Sequence, residues 1–230
     1  EIGTPVHCGE CISDEAVANL RLNLPPEVIS KRVKGIRVIF PDGTSKQLTE
    51  TGYVLEKHLF EQWIAQSAVK EGAKLSLKNR LSSMERIEKD GKFLGWKCDG
   101  KGDIFPLTAR IVIDASGVSA VCSKFVKLGN NKPLNEKGKV VAGMQYELAD
   151  VPTDGYLDFY IWPKYAEKGY VWMIPKCDGR ANVGLVTEDR PRAKKALDEF
   201  IADTHFNDLT RQLPQWKQKG SPTFGGTIPI

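Results

Sequence analysis

Apolar residues recur at helical spacing over Leu55, Leu59, Phe60, Trp63, Ile64 and Ala68, which predicts an amphipathic helix with Gly72 as its stop. A second helix is predicted after Pro191, through Ala193, Ala196, Leu197, Phe200 and Ile201. Ser13 is placed to cap a short helix running to about Leu20, with Asp14 and Glu15 in its first turn and Pro25-Pro26 beyond its end. Elsewhere the pattern shortens or alternates. Val33–Phe40, Lys74–Lys78, Ser83–Lys89, Phe93–Cys98 and Arg110–Asp114 read as strands in the first half. Val140–Glu147, Tyr156–Trp162, Tyr170–Ile174 and Ala181–Val186 read as strands in the second, and Phe224–Pro229 as a glycine-rich strand entry. Pro41-Asp42-Gly43, Asp90-Gly91 and Asp99-Gly100 supply turns between neighbours. Hairpins imply antiparallel pairing. The expected fold is α+β: a large antiparallel or mixed sheet with helices on one face.

Composition narrows the class. The 230 residues suffice for one large domain or two small ones. A net charge of +4 is too mild to argue for nucleic acid as a partner. No apolar run approaches the roughly 20 residues needed to span a bilayer. Five cysteines at irregular spacing do not suggest a disulfide scaffold, and a reducing, cytoplasmic setting is expected.

Three segments are candidates for chemistry. Cys8-Gly9-Glu10-Cys11 is open to three readings. A redox dithiol needs a low-pKa cysteine at a helix start. A zinc site needs further ligands, for which His7, His58 and His205 are available. Two ordinary loop cysteines are the third reading. Arg110–Asp114 followed by Ala115, Ser116, Gly117, Val118 and Ser119 is an apolar run ending in Asp, small residues and Gly. That pattern makes room for a phosphate or ligand backbone, or simply forms a tight turn. Tyr170, Trp172 and Ile174 share one strand face, which lines either a ligand cavity or a core. GxGxxG, P-loop, GxSxG and HExxH motifs are absent from the sequence.

Together these pieces resemble the geranylgeranyl reductases, a branch of the p-hydroxybenzoate hydroxylase-type flavoproteins. The resemblance runs in order along nearly the whole chain. Glu1–Glu10 is similar to the segment after the second strand of the family's FAD-binding domain. Gly52–Phe60 with Ala65, Ala68, Gly72 and Ala73 resembles the helix that begins near the flavin. Asp114–Ser119 resembles a second nucleotide-contact motif, and Gly143–Leu148 the opening of the substrate-domain sheet. Tyr170-x-Trp172-x-Ile174-Pro175-Lys176 with Ala181–Gly184 resembles the motif associated with the isoprenoid cavity. Phe224-Gly225-Gly226 through Pro229 resembles the stretch returning to the flavin. Two positions depart from the family pattern: Lys57 stands for Arg, and Val186 for a second Gly. The family's GxGxxG opening and its Gly-Asp motif are not in this sequence, which therefore reads as a central fragment.

The resemblance implies an FAD-dependent reductase of carbon–carbon double bonds in geranylgeranyl chains, in ether lipids or a chlorophyll precursor. It implies a partial FAD-binding domain at 1–139 and a substrate-binding sheet domain at 140–230. Cofactor contacts fall to Cys8, Gly9, Glu10, Lys57, Asp114, Ser116 and Gly117, and Cys8 is the candidate proton donor. Substrate contacts fall to Tyr170, Trp172, Pro175, Gly184, Gly225 and Gly226. The partner is an isoprenoid lipid met at a membrane surface. The electron donor is not legible. Other flavoproteins of this architecture (a monooxygenase, halogenase or electron-transfer dehydrogenase) and a non-catalytic isoprenoid-binding module are the alternatives.

Overall fold

The computed structural model describes residues 2–6, 8–126, 140–151 and 153–203, and the backbone of 224–229. His7 and His205 lie outside the described residues. Contacts gather the chain into a larger unit, residues 2–67 with 141–228, and a smaller one over 68–140.

The larger unit is built on a seven-stranded sheet. Its strands are β3 (Gly35–Ile39), β4 (Ser45–Leu48), β9 (Val140–Leu148), β10 (Tyr156–Tyr160), β11 (Tyr170–Pro175), β12 (Ala181–Thr187) and β13 (Phe224–Pro229). They run in the order β13-β9-β12-β11-β10-β3-β4. Only β10 and β3 pair in parallel among the registered neighbours, so the sheet is mixed. The α+β expectation holds.

Alternation sorts the side chains to two faces. One face sends Tyr146, Val171, Met173, Val183 and Leu185 against Ala193, Ala196, Leu197 and Phe200 of α3 (Ala193–Ala202). This helix follows a short 3-10 turn at Arg190–Arg192 whose Arg192 amide is capped by Asp189. The other face presents Leu157, Trp172, Ile174 and Val186 to Val33 and Val54. Those valines come from a three-stranded sheet of β1 (Cys11–Ser13), β5 (Gly52–Leu55) and β2 (Ile29–Val33), in that order. A small sheet therefore covers the second face. It was not legible in the sequence, because its strands span three to five residues and are too short to alternate visibly.

The helices form for the reasons expected. Ser13 accepts the Ala16 amide at 3.1 Å and caps α1 (Asp14–Asn19). The helix α2 (Lys57–Lys70) ends before Gly72, which takes φ +96°. No residue of α2 is buried, however, so its apolar stripe does not serve as core among the described residues.

The smaller unit is a meander of β6 (Arg80–Lys89), β7 (Lys92–Lys101) and β8 (Leu107–Ala109). Asp90-Gly91 makes the β6–β7 turn, both residues at positive φ. Two strand expectations and one turn expectation are corrected. Lys74–Lys78 forms no strand and is wholly exposed, so its alternation buries nothing. Arg110–Asp114 is also not a strand; Ile111 and Ile113 are 79% and 86% exposed with no ladder partner among the described residues. Asp99-Gly100 does not turn but continues β7, paired with Ser83 and Leu81.

Candidate functional site

The chemistry-bearing residues of the larger unit converge where the loop before β1 lies on the sheet. Three in-register positions, Gln145 of β9, Gly184 of β12 and Trp172 of β11, form one row across it. Gly184 is what lets them meet. A Cβ there would stand 2.4 Å from Trp172 Cζ2 and 2.5 Å from the Met144 carbonyl oxygen. Because no Cβ is present, the indole lies flat over β12 and donates from Nε1 to Gln145 Oε1 at 3.0 Å. Gln145 Nε2 in turn donates to the Cys8 carbonyl at 3.1 Å. One buried amide thus ties the aromatic wall to the cysteine loop. Next in the loop, Gly9 sits so close to the sheet that a Cβ would fall 2.9 Å from Ile174 Cδ1.

Tyr170 continues the aromatic face outward. Its ring lies 5.5 Å from Phe159 and 6.0 Å from Trp172, and it remains 39% exposed. The face therefore grades from buried Trp172 to accessible Tyr170. Pro175 ends β11 on the opposite face by alternation. Gly225 and Gly226 belong to β13, whose sheet neighbour is β9.

Glu10 anchors the loop. It is 3% exposed and takes φ +71°. Its carboxylate accepts from Lys176 Nζ at 2.7 Å, Asn182 Nδ2 at 2.5 Å and the Lys57 amide at 3.1 Å. The last bond puts an anion at the N-terminus of α2, where the helix dipole favours it. The Lys57 ammonium itself pairs with Glu61 one turn along. Its charge is spent locally, and the main chain of Lys57 serves the loop.

Lys176 is 2% exposed and also lies 3.2 Å from Glu56 and 3.3 Å from Glu147. Arg180 bridges the same two carboxylates, at 2.7 Å and 3.1 Å. Burial works against the Lys176 charge, but Glu10, Glu56 and Glu147 outweigh it and hold the ammonium above its ordinary range. Burial likewise pushes Glu56 up, yet hydrogen bonds from Arg180 and Ser30 and the Lys176 charge bring it down to about 2. Glu56 and Arg180 escaped the sequence reading, while Gln145, Glu147, Lys176 and Asn182 entered it only as members of longer motifs, with no role of their own. The available signal was polar residues at inward positions of apolar strands, Gln145 and Glu147 in β9 and Asn182 in β12.

Cys8 is half-buried, and its Sγ accepts the Glu10 amide at 3.2 Å. Cys11 is exposed, and both thiols are free. Among the described residues no group of three or more His, Cys, Asp or Glu is disposed around a metal ion.

Asp114, Ser116 and Gly117 belong to the smaller unit, where Asp114 and Ser116 line a cavity of about 720 Å³ with Arg80, Lys101 and Lys124. Only Gly117 is not itself part of that lining; it follows directly with φ +60° and open space where a Cβ would be. Asp114 accepts the Ser116 and Cys122 amides, and Ser116 Oγ the Val121 amide, so these two side chains shape the loop. The hydrogen bonds from Ser116, then the Cys122 amide, hold the Asp114 carboxyl below its ordinary value.

Residues 140–214 match the geranylgeranyl reductase catalytic domain. The chain is a relative of the geranylgeranyl reductases. It is 30% identical to a digeranylgeranylglycerophospholipid reductase from Methanococcus vannielii, over 99% of this chain and 58% of that protein. Its fold matches a geranylgeranyl bacteriochlorophyll reductase-like protein from Thermoplasma acidophilum with a TM-score of 0.77 and 29% identity, covering all of this chain and 58% of that one. A flavin-dependent brominase shares the fold, with a TM-score of 0.73 at 15% identity over 100% of this chain and 60% of its own. The chain spans a little over half the length of the geranylgeranyl reductase relatives it matches.

Proposed function

We propose that the protein carrying this chain reduces carbon–carbon double bonds in geranylgeranyl chains of isoprenoid lipids, with FAD as cofactor. The observation that carries the reading is the row Trp172–Gly184–Gln145 tied to Cys8, in a sheet that matches the reductase catalytic domain. An isolated alkene has no polar handle, so the protein must align it by shape. Trp172, fixed by Gln145, and the accessible Tyr170 supply such a wall. FAD, when bound, would supply the hydride for one alkene carbon. Cys8 is the candidate donor of the proton to the other.

The residues present fit a dinucleotide. Gly117 leaves open space for close approach, and Arg80, Lys101 and Lys124 line the adjoining cavity with charge complementary to a diphosphate. In the other unit, Gly9 and Glu10 hold the Cys8 loop, and Lys57 contributes through its amide. Residues before 140 are read as largely cofactor-facing and those after as the substrate sheet, with Pro175, Gly184, Gly225 and Gly226 shaping the latter. No helix among the described residues is long and apolar enough to cross a membrane. A lipid substrate is met at a bilayer surface, and the enzyme is read as working there from the cytoplasmic side without spanning it.

Two measurements test this. The purified chain is incubated with FAD, freed of excess and scanned for a retained, shifted flavin band. The full-length product, chemically reduced, is then given a geranylgeranyl lipid, and saturation is read as a mass gain of two hydrogens per bond. A full-length protein that binds flavin, leaves the lipid unchanged and consumes oxygen with an aromatic substrate would overturn the reductase reading in favour of a hydroxylase or halogenase. Cys8→Ala with unchanged turnover removes the proton-donor role.

A further inference from the structure

Every polar group of Glu10 is committed. The carboxylate holds Lys176, Asn182 and the Lys57 amide; the carbonyl accepts the Leu55 amide at 2.8 Å; the amide donates to Cys8 Sγ. These partners come from the ends of β11 and β5, from β12, from α2 and from the loop itself. A non-glycine residue at φ +71° is held there against its steric preference, so the surroundings must dictate it. A buried ion pair is weak evidence for stability, since desolvating two charges offsets much of their attraction. The pair must therefore be explained by the geometry it enforces. The Asn182 side chain is buried, and its Oδ1 has no partner among the described residues, where only its amide end is in use, on Glu10.

We propose that Lys176 and Asn182 are positioning residues that act through Glu10 to fix the pose of the Cys8 thiol. The proposal rests on Cys8 lying at the reacting centre for its meaning in catalysis, but the arrangement itself is independent of that. Lys176 and Asn182 hold the Glu10 carboxylate in the interior. That hold keeps the Glu10 backbone left-handed and fixes the residue whose N–H meets Cys8 Sγ. A second tether, from Gln145 to the Cys8 carbonyl, fixes the other side of the same residue. Thiol pose and aromatic wall are thereby referenced to one sheet.

The test is peptide-resolved alkylation of Cys8 by iodoacetamide, with amide hydrogen exchange on the same samples. Neither readout needs flavin or lipid, so a protein that fails every reductase assay still reports on the arrangement. In Glu10→Ala, Cys8 should alkylate about tenfold faster as its bonds and their anchor are lost, with Asn182→Ala moving the same way. The Leu55 and Lys57 amides should exchange faster, while those of β12 keep the parent rate. Glu10→Gln keeps one acceptor oxygen but puts an NH2 donor where a second acceptor is needed by Lys176 and Asn182 or by the Lys57 amide, so it should alkylate at a rate between the parent and Glu10→Ala. Lys176→Met takes the buried cation from among three carboxylates and is the variant most exposed to misfolding, so the two alanine variants carry the test. Unchanged Cys8 alkylation in both overturns the proposal. So does acceleration that appears only together with faster β12 exchange, which is general loosening.

Discussion

Adding one methyl at Gly184 should cost more than its size suggests. A Cβ there would meet the indole of Trp172 at 2.4 Å and the Met144 carbonyl at 2.5 Å, neither of which is tolerable. The carbonyl belongs to the neighbouring strand, so the indole must yield. When it does, Nε1 leaves Gln145, and two buried polar groups lose each other. Overpacking a well-filled core costs about 1–3 kcal/mol. Stranding a buried hydrogen-bonding partner costs about 1–3 kcal/mol. The sum for Gly184→Ala is about 2–6 kcal/mol, which lowers a urea midpoint by roughly 1–3 M for a slope of about 2 kcal/mol/M. Far-UV circular dichroism against urea measures it. Trp172→Phe removes Cζ2 and Nε1, so Gly184→Ala should cost less in that background, leaving a coupling of about 1–2 kcal/mol. An unchanged midpoint for Gly184→Ala, or the same loss in both backgrounds, would refute the account of why glycine stands opposite the tryptophan.

Other expectations follow from the same unit. Glu56 has its folded pKa depressed to about 2 from an ordinary 4.5, so its pairing stabilises fully above about pH 4.5 and is lost as pH falls towards 2. Glu56→Gln should therefore be less stable at neutral pH by about 1–2 kcal/mol, after discounting for partial solvent screening, with the gap closing across that window; a pH-independent gap would contradict this. Arg37 holds the buried Asp158 carboxylate through bonds of 2.7 Å and 2.9 Å. Arg37→Met should cost about 3–5 kcal/mol in the same urea experiment by leaving that charge unpaired. Phe200 is fully buried with Tyr160, Trp162 and Tyr165 ringed around it at 5.1–5.8 Å. Phe200→Ala should cost about 3–5 kcal/mol, and a loss below about 1 kcal/mol would mean that α3 is not seated on the sheet as described.

The strands that were legible in the sequence are those whose pattern and burial agree. In β11 the even positions pack on one face and the odd positions on the other, and both the strand and its aromatic face were readable. Where pattern and burial part, the reading fails. Lys74–Lys78 alternates, yet nothing covers either face. Arg110–Asp114 is apolar enough for a central strand, but a strand needs a ladder, and no described segment provides one. Asp99-Gly100 carries a turn signal that pairing overrides. The ladder to β6 shifts register between Leu81 and Ser83, and a Cβ on Gly100 would stand 2.1 Å from the Arg80 carbonyl. That glycine serves close approach at a bulge, a use its neighbours in sequence do not reveal.

The site divides along the same line. Cys8, Gly9, Glu10, Trp172 and Gly184 were visible because they sit in compact local motifs. The roles of the residues that hold them were not, because these exist only across long sequence separations: Lys176 and Asn182 stand in the same motif as Trp172 and Gly184, yet reach Glu10 across 166 and 172 residues. A lone Lys after Pro175 looks like a solvated strand end, and a lone Asn in β12 looks like an edge position. Only the fold shows that β12 is buried along its whole length, so that Asn182 has nowhere to turn but the Glu10 carboxylate. The physical reason for the blind spot is general to buried polar groups. Their cost is set by partners that must be present in three dimensions, so the sequence records each partner and leaves the pairing unwritten. For this chain the unwritten pairings converge on one carboxylate, which makes Glu10 the residue whose replacement most directly separates a cysteine loop held for chemistry from one held only for the fold.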